Sequence, residues 1–458
     1  MREAAANAMG QDGQIAQAIA DVNVLVAEPA GIFNNEEDKP ALLQAIIHPL
    51  NERAGLAARL INQTFLRDPK RSLSDQYEKV VEEGRQTLQE EKGDLLLWGY
   101  LEPEIQSVRW HFLSAEEGEA NLGVPGIAES LLVPFVPEKG SLDVLYAAIF
   151  AATRSSQPTH AVKIGEHLLG AVEPLNKLAG SLSNRKTPMP AKVSAMGMAA
   201  VVMANIAQRS KELGWFTPAI KAFKIWEEVV EKDKTPIDWA LVTNHYGWLY
   251  EEMANHTDDE QLVDHISRAI TLFEQVSEVL NIELHPFEWA AVQLRIAGTC
   301  AKIGRKMSEP EYLQKAARYY KKATKVYNQY QYPLNWAENM SKMAKTMMLH
   351  GQLVKGAQSL EQAGVAYQAV LKVYDEEKYP AQWANTQNNL GATLFALAKR
   401  DPHTHAWLDH ALSCFENARD YYTENGRPQL VHVIDKNIAK AKELKEDIQA
   451  RYYTDFID

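Results

Sequence analysis

The chain has 458 residues, 46% hydrophobic and 24% charged, the ordinary composition of a packed globular protein, so disordered and collagen-like architectures are excluded. At ~150 residues per domain, this length predicts about three structural units. Forty-eight basic against 60 acidic residues leave a net charge of −12, which argues against a nucleic-acid binder, whose footprint is normally positive. Cys300 and Cys414 are the only cysteines, too few for a disulfide framework or a four-cysteine zinc site. The first ten residues lack the basic flank and apolar core of a secretory signal. The longest mostly apolar run, Val193 to Gln208, falls short of the ~20 residues of a membrane span. A soluble, cytoplasmic chain is expected.

Between Val22 and Ser114, short β-like runs alternate with amphipathic helices. Asn23 to Ala27 reads as a strand, ended by Pro29 and Gly31. Pro40 to Ala54 predicts a helix with Leu42, Leu43, Ile46, Ile47 and Leu50 on one side. Ala58 to Ile61 is a second strand and Leu73 to Glu91 a charged amphipathic helix. Asp94 to Tyr100 and Val108 to Leu113 then read as two paired strands. The order β-α-β-α-β-β predicts a small sheet covered by helices, over residues 1–115 with a short terminal tail. This order, with Asp94-Leu-Leu-Leu-Trp98-Gly99, resembles the small α/β domain at the amino terminus of TolB-type proteins. The resemblance implies a docking or assembly domain, with no catalytic residues to carry over.

Residues 116–189 are expected to form a helical connector and cap. Gly123-Val-Pro125 and Val133 to Pro137 read as extended segments, and Leu142 to Ala152 and Ala161 to Leu182 as helices. Residues 190–426 carry a repeat. Pro236-Ile-Asp-Trp239-Ala, Pro286-Phe-Glu-Trp289-Ala, Pro333-Leu-Asn-Trp336-Ala and Pro380-Ala-Gln-Trp383-Ala share one phase, with tryptophans 50, 47 and 47 residues apart. Eleven residues after each proline stands Gly247, Ala297, Ala344 or Gly391. Later in each unit an alanine precedes an aromatic by four: Ala269 and Phe273, Ala316 and Tyr320, Ala363 and Tyr367, Ala411 and Phe415. A fainter unit begins at Pro190, with Val193, Ala219 and Phe223. Proline suits a first helical turn, and Trp383, Gln387, Leu390, Leu394 and Leu397 mark one helical face. Each unit therefore reads as a helix pair that must stack on its neighbours to bury its apolar side. The four tryptophans and the four alanines are read as the packed core of the repeats.

Small residue, then alanine, then aromatic is the pattern of the tetratricopeptide repeat family. The region resembles its long, Pro-x-x-Trp-Ala bacterial variety, with the extra residues in the loop between the two helices. The resemblance implies a right-handed helical solenoid whose first helices line a concave face. On that phasing the groove candidates are Asn244, Trp248, Arg295, Lys342, Lys345, Asn385 and Asn388. These include the residue types of a lysine–asparagine carboxylate clamp without its spacing. Residues 427–458 predict a charged capping helix and a tail, Tyr452 to Asp458.

Nucleotide loops, a nucleophile elbow and a zinc-protease helix motif are all missing from the sequence. His403 and His405 beside Asp401 and Asp409 read as a polar loop, and the acidic runs Glu36 to Lys39, Glu116 to Glu119 and Asp258 to Glu260 as solvated loops. Both cysteines read as inert buried thiols. The expectation is thus a mostly α chain with a small α/β domain, without catalysis or cofactor. It would serve as an adaptor or structural subunit that holds a protein partner, through an acidic segment, on the concave face. The alternative is a regulatory module whose α/β domain binds a small effector. Partner identity and oligomeric state stay open.

Overall fold

The computed structural model describes residues 20–31, 38–66, 73–116, 129–178, 189–210, 212–257, 259–400 and 405–455. Gly123–Pro125, Leu182, Asp258, Asp401 and His403, with Glu36, Glu37, residues 117–119 and the last three residues of the tail, lie outside them. The chain forms two compact units, Met1–His285 and Pro286–Asp458. The division falls between the first and second clear repeats.

In the first unit, strands β1 (Val22–Ala27), β2 (Leu56–Ile61), β3 (Leu95–Glu102), β4 (Ser107–Ser114) and β5 (Ser130–Pro134) form one sheet in the order β2-β1-β3-β4-β5. Strand β1 is parallel to both β2 and β3. Those connections need crossovers, supplied by helices α1 (Asp38–Asn51) and α2 (Leu73–Glu90). Strands β3, β4 and β5 are antiparallel. The near-continuous apolar runs of β1 and β3 follow from burial on both faces. On one face, Tyr77, Val80 and Leu88 of α2 pack against Leu25, Leu96, Trp98 and Leu113.

The fifth strand corrects the sequence reading, which took this stretch as connector. Val133 pairs with Val108 and Leu132 with Arg109. The strand has five residues and ends on Pro134, too short for alternation to show, and proline is tolerated at an edge. Its outward N–H at Leu132 donates to Ser194 Oγ at 2.9 Å, so a helix covers the open edge.

That helix, α5 (Met189–Ser210), follows α3 (Lys139–Ala152) and α4 (Pro158–Asn176) and precedes α6 (Phe216–Glu227), α7 (Pro236–Met253) and α8 (Asp259–Val279). Among the described residues, α5 is the one helix long and apolar enough to cross a membrane, and 67% of its apolar window is buried. It contacts β5, α3, α4, α6 and α7, so its all-round apolarity is that of a core helix. Helices α7 and α8 are the first clear repeat. A Cβ on Gly247 would stand 2.6 Å from the Phe273 ring. The small residue is therefore required by the close approach of the two helices.

The second unit contains α9 (Pro286–Met307), α10 (Pro310–Ala323), α11 (Pro333–Leu353), α12 (Gln358–Val370), α13 (Pro380–Ala398), α14 (His405–Glu424) and α15 (Pro428–Asp455). Each helix packs chiefly on its neighbours in sequence, the quasi-linear stacking of a repeat protein. Ala316, Ala363 and Ala411 are fully buried, as is Ala269 in the first unit. Gly391 repeats the close approach, its notional Cβ lying 2.9 Å from Phe415. Helix α15 buries Ile434, Ile438, Ala441 and Ile448 and exposes Lys436, Lys440, Lys442 and Glu443, the arrangement of a solubilising end helix.

The tryptophans differ from expectation. Trp239, Trp289, Trp336 and Trp383 are half-buried, whereas the next residues, Ala240, Ala290, Ala337 and Ala384, are fully buried. The indoles lie in the first turn of each first helix, where a large ring is covered on one side only. Trp336, for instance, packs beside Val370, Tyr374 and Tyr379, and Lys232 Nζ stands 4.5 Å over the Trp239 ring.

Candidate functional site

The first helices of the repeats, α7 in one unit and α9, α11 and α13 in the other, carry the groove candidates. Lys342, Lys345 and Asn385 are exposed. Lys342 Nζ is held by Glu338 at 2.6 Å, one turn earlier on α11. Asn244, Arg295 and Asn388 are half-buried. Trp248 is a correction: only 7% exposed, it belongs to the core, because α7 packs against both α5 and α8. In the second unit α11 and α13 contact each other, so the helix of Lys342 and Lys345 adjoins that of Asn385 and Asn388.

Unpartnered polar atoms recur at one position of the repeat in both units. Eight residues after the repeat proline, Asn244 Oδ1, Ser341 Oγ and Asn388 Oδ1 are all buried without a hydrogen-bond partner. Thr243 Oγ1 and Asn339 Nδ2, one and two positions earlier in their own repeats, are likewise unpartnered. Leaving such a group unsatisfied costs about 1–3 kcal/mol, and three of four repeats do so at one position. Sequence reasoning found Asn244 and Asn388 but missed Ser341, Thr243 and Asn339. Aligning the repeats column by column, rather than listing charged residues, is the signal that would have found Ser341.

Both thiols and the Tyr320 and Tyr367 phenols of the repeats are buried. Burial pushes the Cys414 thiol up to about 12, which keeps it protonated at neutral pH, and Cys300 is fully buried. Burial likewise raises the Tyr320 phenol to about 12 and the Tyr367 phenol well above its ordinary value. Among the described residues no three His, Cys, Asp or Glu side chains are grouped to hold a metal. His403 is outside the described residues.

The first unit has its own charged centre. Arg109 on β4 bonds Glu102, Ser130 Oγ at 2.9 Å and Asp238 at 3.0 Å. Burial alone would lower its pKa, but Asp238 and Glu102 outweigh that and raise it well above the ordinary arginine value. His245, 1% exposed, meets Glu129 through Nε2 at 2.9 Å, and its Nδ1 has no partner.

No family model matches the chain, and no curated protein matches it. Among solved structures it is similar to a protein described as a circular tandem repeat protein with novel repeat topology and enhanced subunit contact surfaces. The identity is 10% and the TM-score 0.29, over 70% of this chain and 85% of that one. The class of protein is therefore defined by the chain's own geometry: a mostly helical repeat protein, its helix pairs preceded by a small five-stranded α/β sheet.

Proposed function

We propose that the chain is a non-catalytic adaptor or structural subunit of a larger bacterial, cytoplasmic assembly, and that its repeats are of the tetratricopeptide type. The supporting observation is the pair of unpartnered polar atoms at Ser341 and Asn388, at the same repeat position on α11 and α13, first helices that contact each other within one unit. An extended polypeptide segment carries a donor and an acceptor at every residue, so it suits side-chain acceptors repeated once per helix pair. Lys342 and Lys345, exposed on α11, favour an acidic or carboxylate-bearing segment of the partner. The α/β sheet, whose order supports the TolB-type reading, serves as a docking and anchoring element for the first repeats.

Affinity capture of the full chain from its native source, followed by lysine-directed cross-linking and mass spectrometry, tests this reading. One protein should be recovered in stoichiometric amount, cross-linked to Lys342 or Lys345. Cross-links confined to α15 or to the sheet would move the binding surface. Turnover of a substrate by the purified chain would replace the proposal with an enzyme.

A further inference from the structure

Helix α10 (Pro310–Ala323) turns one side inward, burying Leu313, Ala316, Tyr320 and Ala323. Its other side is basic. Arg318, Lys321 and Lys322, three and four residues apart, share that side, and Lys325 follows in the turn that ends the helix. All four are exposed, and none of them forms an ion pair among the described residues. Lys322 Nζ rests over the Tyr319 ring at 4.1 Å, which leaves its charge without a counter-ion. Glu311, the helix's own carboxylate, stands about two turns before Arg318. A helix carboxyl end favours nearby cations, but cations at these spacings also repel one another. The face is open to an acidic partner.

The chain itself supplies a matching surface. Helix α2 (Leu73–Glu90) buries Tyr77, Val80 and Leu88 and exposes Glu78, Glu82, Glu83 and Glu90. Among its described residues one cation is exposed with them, Lys79, which stands 3.5 Å from Glu83. The two clusters extend over about 10 Å and about 18 Å of helix. Neither face exposes an apolar side chain, so neither is suited to a bilayer interior. The net charge of −12 repels an extended polyanion, whether nucleic acid or anionic membrane. A short acidic helix face matches in both charge and extent.

We propose that copies of this chain associate through these two faces, the glutamates of α2 in one copy meeting Arg318, Lys321, Lys322 and Lys325 of another. The contact joins unlike surfaces, and each copy carries both halves of it. Its attraction is between exposed charges and is therefore screened by salt. This inference does not rest on the protein-partner reading, whose lysines Lys342 and Lys345 are on α11, and either can fail alone.

The test is sedimentation velocity of the full chain over a range of concentrations at two salt levels. The mean mass should rise above that of one chain in about 0.1 M salt, where the screening length is about 10 Å, and return to it in about 1 M, where it is about 3 Å. Lys321→Glu with Lys322→Glu should raise the dissociation constant about tenfold or more, and so should Glu82→Lys with Glu83→Lys. Mixing the two double variants sets a reversed α10 against a reversed α2, so association should reappear in the mixture. Circular dichroism establishes that both variants are folded. If a reversed variant does not fold, the neutral Lys321→Gln with Lys322→Gln takes its place, and undiminished association then overturns the proposal. A chain that stays monomeric in low salt, folded reversed variants that still associate, or a mixture of them that stays monomeric overturns it equally. So does association that nuclease abolishes or that needs added anionic vesicles, because the basic face would then hold a polyanion.

Discussion

Arg109 on the antiparallel side of the sheet and Asp238 in the first turn of α7 lie 3.0 Å apart, although 129 residues separate them. This ion pair joins the α/β sheet to the first clear repeat within one compact unit. The sheet is part of the repeat's support, not an appended module. Asp238 is 39% exposed at its side chain and Arg109 13%, so the two partners are not equivalent. Asp238→Asn leaves Arg109 bonded to Glu102 and Ser130 and should cost about 1 kcal/mol. Arg109→Met strands Glu102 as well and should cost about 2–4 kcal/mol. Urea melts of the two variants check the order, and an equal loss from both would contradict it.

The same relationship decides how the chain can be cut. A fragment beginning at Pro190 loses the partner of Asp238 and the strand whose Leu132 N–H is bonded to Ser194. The apolar face of α5 is then exposed, and this fragment should aggregate. A fragment of Pro286–Asp458, by contrast, is a compact unit and should melt cooperatively with helical circular dichroism. Aggregation of the second fragment, or a monomeric cooperative first one, would place the folding boundary elsewhere.

Packing predictions follow from the buried alanine–aromatic step. Phe415, fully buried, should cost about 3–5 kcal/mol on replacement by alanine. Half-buried Trp336 should cost less, about 1.5–3 kcal/mol. Gly247→Ala drives a Cβ to 2.6 Å from Phe273 and should destabilise by about 1–3 kcal/mol. Gly170→Ala, on helix α4 with nothing within 4 Å of the new Cβ, should stabilise by about 0.5–1 kcal/mol. Thermal denaturation of the four variants gives the ranking.

Much of this architecture was legible because it is periodic. Proline, small residue, alanine and aromatic recur every 47 to 50 residues, and a recurring column averages away the ambiguity of any single helix. Strands β1 to β4 showed themselves by alternation or by apolar runs between turn residues. Strand β5 did not, because five residues ending in Val-Pro look the same in a loop and at a sheet edge. Burial at Trp248 was hidden for a different reason. The equivalent positions elsewhere hold Gly298, Lys345 and Ala392, and only the presence of α5 beside α7 makes that face interior. Arg109 and Asp238 could not be paired from sequence at all, since neither lies in a motif and their contact depends on how the sheet meets the repeat.

Acid stability should report on Asp21. Its carboxylate is held by Lys163 at 2.6 Å and His167 at 2.9 Å. Burial pushes this carboxyl up, but the bonds to His167 and Lys163 outweigh it and hold the pKa below its ordinary 3.8. A carboxyl lowered in the folded state contributes stability above its unfolded pKa and loses it as pH falls through the folded value. Asp21→Asn should therefore reduce stability at neutral pH and flatten the decline below about pH 4. A variant that keeps the full acid decline would show that other carboxylates govern it.

The central claim, that a protein partner is held by the first-helix face of the repeats, is tested most directly by charge reversal. Lys342 and Lys345 are both exposed on α11, so Lys342→Glu with Lys345→Glu should leave stability within about 0.5 kcal/mol, as for ordinary surface changes. The measurement is partner recovery on the purified double variant beside the unaltered chain, with matched circular dichroism. The account predicts a folded variant that loses its partner. Full recovery from a folded variant would contradict it.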